Sequence, residues 1–260
     1  MTIGAKSSSA NIIKKGAMAK QRADIFLVKH GFAESRTEAQ AAISAGLVRA
    51  DGKTVAKPSQ ALAEDAVIAY EKPHPYVSRG ALKLVAALDH FGLSPQGLVC
   101  LDLGASTGGF TEVLLKRGAK KVYALDVGHG QLHKKLCADP RLVSFEGLNA
   151  RDLTDVHIRE SPGAIVADVS FISLKLALPP TLALAAPGAW LVALVKPQFE
   201  AGRDAIGKGG IVKSQAARLA ALKSVVDWLS GRKWSVQGTM ESPLAGGDGN
   251  REFLLAARKP

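Results

Sequence analysis

Residues 101–115 read LDLGASTGGFTEVLL, and this stretch, followed by the carboxylate of Asp126 in VYALDVG, decides the fold class. An apolar strand over 98–103 leads into a glycine-rich turn that begins at Gly104, and a helix is predicted to begin near Phe110. Glycines allow a ligand to approach the backbone closely, and the first turn of a helix presents free N–H groups. Asp126 ends the next predicted strand, 22 positions after Gly104, where an acid can hold the hydroxyls of a ribose. The pattern predicts the first half of a nucleoside site on an α/β sheet.

The spacing of this turn excludes two common nucleotide ligands. The dinucleotide pattern G-x-G-x-x-G requires glycine where Ser106 stands, and the phosphate-binding pattern G-x-x-x-x-G-K-[ST] requires lysine where Phe110 stands. S-adenosylmethionine, which has a ribose but no phosphate, is the common ligand that remains. The alternative is a glycine turn that only joins a strand to a helix. The candidate cofactor-binding residues are Asp102, Gly104, Ala105, Ser106, Thr107, Gly108, Gly109, Phe110, Asp126, Val127, Asp152 and Asp168.

Composition and charge limit which binding partners and which cellular compartment fit this chain. The chain has 260 residues, 47% of them hydrophobic, and its formal net charge of +11 favours a polyanion, either nucleic acid or an acidic membrane surface. Its two cysteines, Cys100 and Cys137, lack metal-ligand spacing, so we expect no bound metal. Two cysteines do not make a disulfide framework, and we expect the protein to be located in the reducing cytoplasm. No apolar run reaches the roughly 18 residues of a membrane-spanning helix. Residues 1–19 are predicted to form an extension or flexible tail.

Residues 20–71 are predicted to form a small α+β domain, followed by a linker over 72–76. Ser35 is placed to cap the second of two short helices, and Asp51-Gly52 is a hairpin turn signal. Residues 1–60 carry ten basic and four acidic residues, which is over half of the charge surplus of the chain. A solvated basic face would explain that charge without any ligand.

The order of motifs in this segment resembles the S4 module, an RNA-binding domain named after a small-subunit ribosomal protein. The resemblance is carried by Arg22-x-Asp24-x-x-Leu27, by Ser35-Arg36 and by the GLV and DGK stretches that begin at 46 and 51. It implies that basic side chains contact RNA phosphates. The RNA-binding candidates are Arg22, Arg36, Arg49, Lys57 and Arg79.

From residue 77 to 260, apolar strand patterns alternate with helical ones, as in a doubly wound, Rossmann-like sheet. Ligands of such sheets lie outside the carboxyl ends of the strands, so polar residues at those ends are candidate site residues. The loop GKGGIV, which begins at Gly207, is either a mobile cover over that site or a plain surface loop. Strands are predicted at 98–103, 121–126, 143–145, 164–168, 189–195 and 252–257.

Four ionisable residues stand out. Asp168 and Lys196 end the fourth and fifth predicted strands, Lys83 stands in YVSRGALKL before the first strand, and Glu252 stands on the predicted C-terminal strand. Each residue alone is weak evidence for a catalytic site, but the Lys–Asp–Lys–Glu set resembles the catalytic tetrad of FtsJ-like RNA ribose 2′-O-methyltransferases. A ribose hydroxyl must lose its proton as it attacks the methyl group, and a neutral lysine such as Lys196 can accept it. A second lysine nearby disfavours the charged form of the first. Replacing any of the four by alanine is expected to abolish transfer and to leave folding largely intact.

Other methyl acceptors fit less well. Transfer to exocyclic amines usually uses [DN]-P-P-[FY], whereas the fourth strand ends in Asp168-Val169-Ser170-Phe171 without prolines. Methylation of pyrimidine carbon requires a cysteine nucleophile, and neither cysteine stands at a strand end.

The whole order of motifs resembles the TlyA family of ribosomal RNA 2′-O-methyltransferases, long called hemolysin A. It is carried by the S4-type module and by YVSRGALKL, DLGASTGGFT, ADVSFISL, KPQFE, GKGGIV and GNREFLL. The resemblance implies a class I S-adenosylmethionine-dependent methyltransferase domain that modifies cytidine ribose. Its implied partner is ribosomal RNA or a ribosomal subunit, with no metal and no membrane. Two other readings stay open, a membrane-active hemolysin and a ribosome-binding factor without catalysis; the sequence does not indicate the oligomeric state.

Overall fold

The computed structural model describes residues 20–260, so the predicted extension at 1–19 lies outside the described residues. The chain divides into two compact units between Pro75 and Tyr76, within the predicted linker. Each unit has a hydrophobic core of its own.

The N-terminal unit packs two helices against short strands. Ser35 caps the second helix as predicted, because its Oγ accepts a hydrogen bond from the backbone N–H of Glu38. Asp51 and Gly52 have φ values of +51° and +76°, the left-handed backbone that the predicted hairpin turn requires. The elements are β1 (Lys20–Arg22), α1 (Ala23–Lys29), α2 (Arg36–Ser44), β2 (Val48–Ala50), β3 (Lys53–Thr54), β4 (Ala61–Ala63) and β5 (Ile68–Tyr70).

The C-terminal unit is built on a seven-stranded sheet. Its helices are α3 (Ala81–Phe91), α4 (Gly109–Lys116), α5 (Lys134–Cys137), α6 (Leu174–Ala177), α7 (Pro179–Leu184), α8 (Pro197–Glu200) and α9 (Gln215–Ser230). Short 3₁₀ turns cover Ala150–Asp152, Arg203–Ala205 and Lys208–Gly210. Its strands are β6 (Val99–Leu103), β7 (Lys121–Asp126), β8 (Leu142–Glu146), β9 (Ala164–Ala167), β10 (Trp190–Val195), β11 (Ser235–Glu241) and β12 (Phe253–Arg258).

Helices cover both faces of this sheet. Alternate residues of a strand point to opposite faces, and in β6 Leu101 packs in the core that includes Leu174 of α6 and Val225 of α9. Its neighbour Cys100 packs in the other core, with Leu84 of α3 and residues of α4. The predicted Rossmann-like, doubly wound fold with a small α+β unit before it is therefore confirmed.

The order of the strands is β11-β12-β10-β9-β6-β7-β8, and β12 runs antiparallel to both of its neighbours. Strands β6 to β10 run parallel. The chain continues from β6 to β7 on one side and returns to β9 on the other, so the strand order reverses between β6 and β9. Ligands of doubly wound sheets bind at such a reversal, outside the carboxyl ends of the strands.

The sequence missed one strand of the seven-stranded sheet and, in the N-terminal unit, the short strands β1, β4 and β5. The edge strand β11 is partly exposed along its length and has an irregular register between Val236 and Gly238, which gives it no continuous apolar run. The six predicted strands agree with the structure to within one or two residues at each end. Within residues 20–260, no helix is long and apolar enough to cross a membrane.

Candidate active site

The glycine turn after β6 lies against the end of β9. Gly104 has φ +83°, and a Cβ added there would lie 2.5 Å from the backbone oxygen of Asp168. Only glycine fits both the left-handed backbone and this close approach. The N–H groups of Gly104 and Ala105 both donate to the carbonyl of Leu125, which ties the turn to β7. The turn therefore fixes the distance between the predicted cofactor site and Asp168.

Asp126 at the end of β7 holds the outer part of the turn. Its carboxylate accepts hydrogen bonds from the backbone N–H groups of Ser106, at 2.8 Å, and Gly128, at 2.7 Å. Ser106 has φ +47°, a strained backbone for a residue with a side chain. The carboxylate that the sequence assigned to a ribose therefore also organises its own loop.

A cavity of about 630 Å³ opens at the carboxyl ends of β6, β7 and β9. Of the predicted cofactor-binding residues, Gly104, Ser106, Asp126, Val127 and Asp168 line this cavity. Asp152 does not line it; it lies exposed in the 3₁₀ turn whose preceding residues do. The lining residues that the sequence did not indicate are Leu103, Leu125, Gln131, Leu148, Asn149, Ala150, Arg151, Val169, Ser170, Phe171, Ile172 and Leu176.

A smaller cavity, of about 190 Å³, lies on the other side of the turn. Ala105, Thr107, Gly109 and Phe110 line it together with Asp168 and Lys196. The two cavities share Gly104, Ser106, Asp168 and Ser170; the first has the volume for a nucleoside, and the second lies beside the predicted base.

Asp102 lies beneath this turn and is fully buried, so the structure places its carboxylate behind the cavity wall. Burial raises the pKa of Asp102 to about 7, although the hydroxyl of Thr111 donates to its Oδ2 at 2.6 Å. The nearby charge of Asp168 raises this pKa further. Gly108 also lies outside the cavity walls; its φ of +92° and the side chain of Leu136 leave no room for a Cβ there.

Lys196 and Asp168 form an ion pair at the edge of the site. The Nζ of Lys196 lies 2.6 Å from Oδ1 of Asp168 and donates a hydrogen bond to the Oγ of Ser170 at 2.7 Å. Lys196 directly follows β10 and Asp168 directly follows β9, and the two strands are parallel neighbours. Parallel pairing alone therefore brings the two residues to the same edge of the sheet.

Lys83 and Glu252 form a second ion pair, which is buried. The Nζ of Lys83 lies 2.5 Å from Oε2 of Glu252, and the two side chains are 9% and 3% exposed. Burial raises the pKa of Glu252; Lys83 and Lys196 lower it, while Asp168 raises it, so the other three groups all act on Glu252. Antiparallel pairing places Phe253 opposite Val195, and Glu252 therefore comes beside Lys196. The four predicted catalytic residues are thus brought to one site, although the sequence did not indicate their arrangement as two pairs.

A third cavity, of about 470 Å³, adjoins this tetrad and is called the acceptor cavity below. The ring of Phe171 is 92% exposed, has φ +64° and lies 5.3 Å from the ring of Phe199. Gly209 and Gly210 of the GKGGIV loop lie in the same wall. A hydrogen bond from Nδ2 of the buried Asn250 to the carbonyl of Gly210 holds this loop beside the cavity. The residues lining the acceptor cavity are Ser170, Phe171, Lys196, Gln198, Phe199, Ile206, Gly209, Gly210, Gly247, Asp248 and Glu252.

In the N-terminal unit, two predicted RNA-binding arginines converge on one carboxylate. Asp24 is fully buried and accepts hydrogen bonds from Nε and Nη2 of both Arg22 and Arg36. The hydrogen bonds of Arg22 hold the pKa of Asp24 far below its usual value, so the carboxylate stays charged. Arg49 and Lys57 are exposed in the same unit.

Arg79 belongs to the C-terminal unit and is exposed. Its guanidinium lies beside Gly247 in the wall of the acceptor cavity, since a methyl group added at Gly247 would meet Nη2 of Arg79 at 3.7 Å.

Comparison with known proteins gives matches over nearly the whole chain. The model of the FtsJ-like methyltransferase family matches residues 76–259, and the S4 domain model matches residues 21–68. The 16S/23S rRNA (cytidine-2′-O)-methyltransferase TlyA of Mycobacterium tuberculosis is 44% identical over 241 residues, 92% of this chain and 90% of that protein. Hemolysin A of Brachyspira hyodysenteriae is 41% identical over 234 residues, 90% of this chain and 98% of that protein. A solved structure from Streptococcus thermophilus, provisionally named a hemolysin, has a TM-score of 0.74 at 42% identity, covering 94% of this chain and 90% of that one.

Proposed function

The chain belongs to the FtsJ-like methyltransferase family and, within it, to the TlyA proteins, and from this premise we propose that it methylates the 2′-hydroxyl of a cytidine in ribosomal RNA. The methyl donor in this proposal is S-adenosylmethionine. One observation carries the proposal: Asp168, which lines the nucleoside-sized cavity, is paired with Lys196, which lines the acceptor cavity.

The residues present fit this donor. The turn at Gly104 brings backbone against the cavity where a Cβ would collide, Asp126 offers carboxylate oxygens at its rim, and Val127 is 65% exposed beside it. We propose that Asp126 holds the ribose hydroxyls and that the backbone of 104–110 faces the amino-acid tail. Asp102 contributes only from beneath the turn, where its carboxylate accepts a hydrogen bond from Thr111 of α4, and Asp152 contributes by ending the 3₁₀ turn whose other residues line the cavity.

The donor supplies an electrophilic methyl group on a sulfonium. A ribose hydroxyl is a weak nucleophile, so the chain must take its proton as the O–CH₃ bond forms and the S–CH₃ bond breaks. We assign that proton to Nζ of Lys196, which accepts it only as a neutral amine, so the ammonium must first release a proton to solvent. Asp168 and Ser170 fix the direction of the amine. Lys83 and Glu252 shape the field around it from the buried side. Correct alignment of the reacting groups supplies much of the remaining acceleration.

The N-terminal unit supports RNA as the substrate. Its S4 domain match and its exposed basic side chains at 22, 36, 49 and 57 suit a phosphate backbone. In the C-terminal unit, Arg79 would contact RNA beside the acceptor cavity. We infer cytidine as the target nucleoside and ribosomal RNA as the substrate from relatives that are named ribosomal RNA cytidine methyltransferases. With ribosomal RNA as substrate, we place the protein in the cytoplasm.

A membrane-active hemolysin is the competing proposal, because two similar proteins carry that name. Among residues 20–260, four exposed large apolar residues lie outside the cavity walls, namely Phe32, Val67, Val156 and Leu219, whereas a membrane-binding surface needs a broad apolar face. A ribosome-binding factor without catalysis is disfavoured because both ion pairs of the tetrad are intact.

The test is incubation of purified protein with separate small and large ribosomal subunits and a methyl-labelled donor, followed by mapping of the modified nucleotide. We expect label on the ribose of a cytidine. Label on a base, or none on either subunit or on free ribosomal RNA, would contradict the proposal. Release of dye from anionic vesicles at the same protein concentration tests the hemolysin alternative.

A further inference from the structure

The wall of the acceptor cavity contains a glutamine with one unsatisfied end. Gln198 is 9% exposed, and its Nε2 donates a hydrogen bond to Oδ2 of Asp248 at 3.1 Å. Its Oε1 is buried and has no hydrogen-bond partner among residues 20–260. A buried acceptor without a donor is unfavourable, so a ligand that supplies a donor here gains affinity.

Asp248 determines which end of the amide is free. Oδ1 of Asp248 accepts from the backbone N–H of Asn250, at 2.9 Å, and its Oδ2 accepts from Nδ2 of Asn250, at 2.8 Å. Burial alone would raise the pKa of Asp248, but these hydrogen bonds keep it below the usual value, and the group remains a carboxylate. A carboxylate only accepts, so the amide must turn Nε2 toward it and leave Oε1 as the free end.

We propose that Oε1 of Gln198 accepts a hydrogen bond from the exocyclic amine of the target cytosine, and that this contact makes the enzyme select cytidine over uridine. Uracil carries a carbonyl oxygen at the same ring position, and two acceptors would then face each other without a proton between them. The inference rests on the proposed function, since it assigns the base that accompanies the methylated ribose.

The position of Gln198 suits this role. It lies two residues after Lys196, on the four-residue helix α8, and both side chains line the acceptor cavity. A ribose beside the proposed base at Lys196 therefore has its nucleobase within the same cavity. The rings of Phe171 and Phe199 form an apolar wall there, so the amide is one of the few neutral polar groups that meet the base.

The experiment measures discrimination rather than activity alone. After the modified cytidine has been mapped, subunits carrying uridine at that position are prepared, and the initial rates on both kinds of subunit are compared. We expect the wild-type protein to prefer cytidine by roughly ten- to a hundredfold. Gln198→Met keeps the length of the side chain without an acceptor, and its preference should fall to within about threefold of unity.

Asp248→Ala is the second variant, because it keeps Gln198 and releases the amide to rotate. We expect its rate on uridine to rise relative to its rate on cytidine, since Nε2 can then donate to the carbonyl of uracil. Glu200→Gln is the matched control: Glu200 lies on the same short helix, where it accepts from Ser173 and from the N–H of Leu174. It should lower both rates equally and leave the preference unchanged.

An unchanged preference in both Gln198→Met and Asp248→Ala, with an active wild type, would overturn this inference and leave the proposed function standing. Loss of preference in Glu200→Gln as large as in Gln198→Met would also overturn it. If the wild type labels no ribose on any ribosomal RNA, the proposed function fails, and the inference fails with it.

Discussion

Lys83 and Glu252 are 169 positions apart in the chain, and their charged atoms lie 2.5 Å apart in the interior of the C-terminal unit. Lys83 comes from the first turn of α3, and Glu252 directly precedes β12. The pair therefore joins the helix before the glycine turn to the antiparallel strand beside Lys196. Its burial gives it a structural part as well as an electrostatic one.

Removing one member of this pair is expected to destabilise the C-terminal unit. Lys83→Met leaves the carboxylate of Glu252 buried without its partner, and we expect the free energy of unfolding to fall by about 3 kcal/mol. The double variant Lys83→Met with Glu252→Gln removes both charges and should recover most of that loss, while methyl transfer stays lost. Urea unfolding followed by tryptophan fluorescence measures this unit selectively, because all three tryptophans of the chain lie in it.

Additive losses in the double variant would contradict this account of the pair. The expectation revises what the sequence suggested, namely that alanine at any of the four positions leaves folding largely intact. That expectation suits Lys196 and Asp168, which lie at the cavity edge, better than it suits Lys83 and Glu252, which are buried.

Lys196→Ala is expected to remove transfer while leaving stability nearly unchanged. Loss of the proposed base should lower the single-turnover rate by roughly 10²- to 10⁴-fold. Lys175→Ala is the control, since Lys175 donates to the Oγ of Ser224 and lines none of the three cavities. Donor affinity, measured by calorimetry, should be retained in both variants. A Lys196→Ala enzyme within tenfold of the wild-type rate would exclude Lys196 as the base.

The fold and the first half of the site follow from local pattern. The apolar residues before Gly104 and the acid at Asp126 indicate a strand, a turn and a second strand. They can be recognised in the sequence because glycine spacing and apolar periodicity are local properties. Of the tetrad, Asp168 and Lys196 could be chosen as strand-end residues, whereas the complete set rested on family resemblance, since the pairing of Lys83 with Glu252 depends on how β12 inserts into the sheet. No local pattern specifies that insertion.

Residues that act through burial were beyond sequence reasoning. Asp102 appeared to be a cofactor ligand because it ends a strand, yet it lies under the turn with no exposed surface. Gln198 carries no sequence signal as a lone glutamine, and only the fold shows that Asp248, 50 positions away, holds one end of its amide. Phe171 entered the sequence argument only as the last residue of Asp168-Val169-Ser170-Phe171, and only the structure shows its left-handed backbone and exposed ring.

The buried carboxyl of Asp102 is expected to make stability fall as pH rises. Its folded-state pKa of about 7 lies above the ordinary 3.8, because burial disfavours the charged form, so the folded state holds the proton over that interval. Stability is then full near pH 4 and declines toward pH 7, by on the order of 4 kcal/mol for a shift of this size. Asp102→Asn cannot ionise and should not show this decline.

Urea unfolding of both proteins between pH 4 and 7.5 isolates this contribution, because all other titrating groups are shared. We expect equal stability near pH 4 and a more stable Asn variant at pH 7.5. A difference between the two proteins that does not change with pH would show that Asp102 ionises normally in the folded state.

Replacing the buried Asp24 tests whether it positions Arg22 and Arg36 for RNA, because RNA affinity should rise or fall depending on the answer. Asp24→Asn removes one negative charge and so raises the net charge by one, and simple electrostatics predicts tighter RNA binding with a steeper salt dependence. If Asp24 instead positions Arg22 and Arg36 for a phosphate, its loss releases both guanidiniums, and binding weakens despite the added charge. We expect the weaker binding, with a shallower salt slope.

Asp65→Asn is the matched control, because Asp65 is an exposed acid of the same unit and its replacement makes the same charge change. Binding of ribosomal RNA transcripts, measured between about 50 and 200 mM salt, should tighten or stay constant in this control. Circular dichroism checks that both variants keep their helices. If Asp24→Asn binds as tightly as Asp65→Asn, the two arginines act only as surface charge, and their convergence on Asp24 serves the fold rather than the RNA.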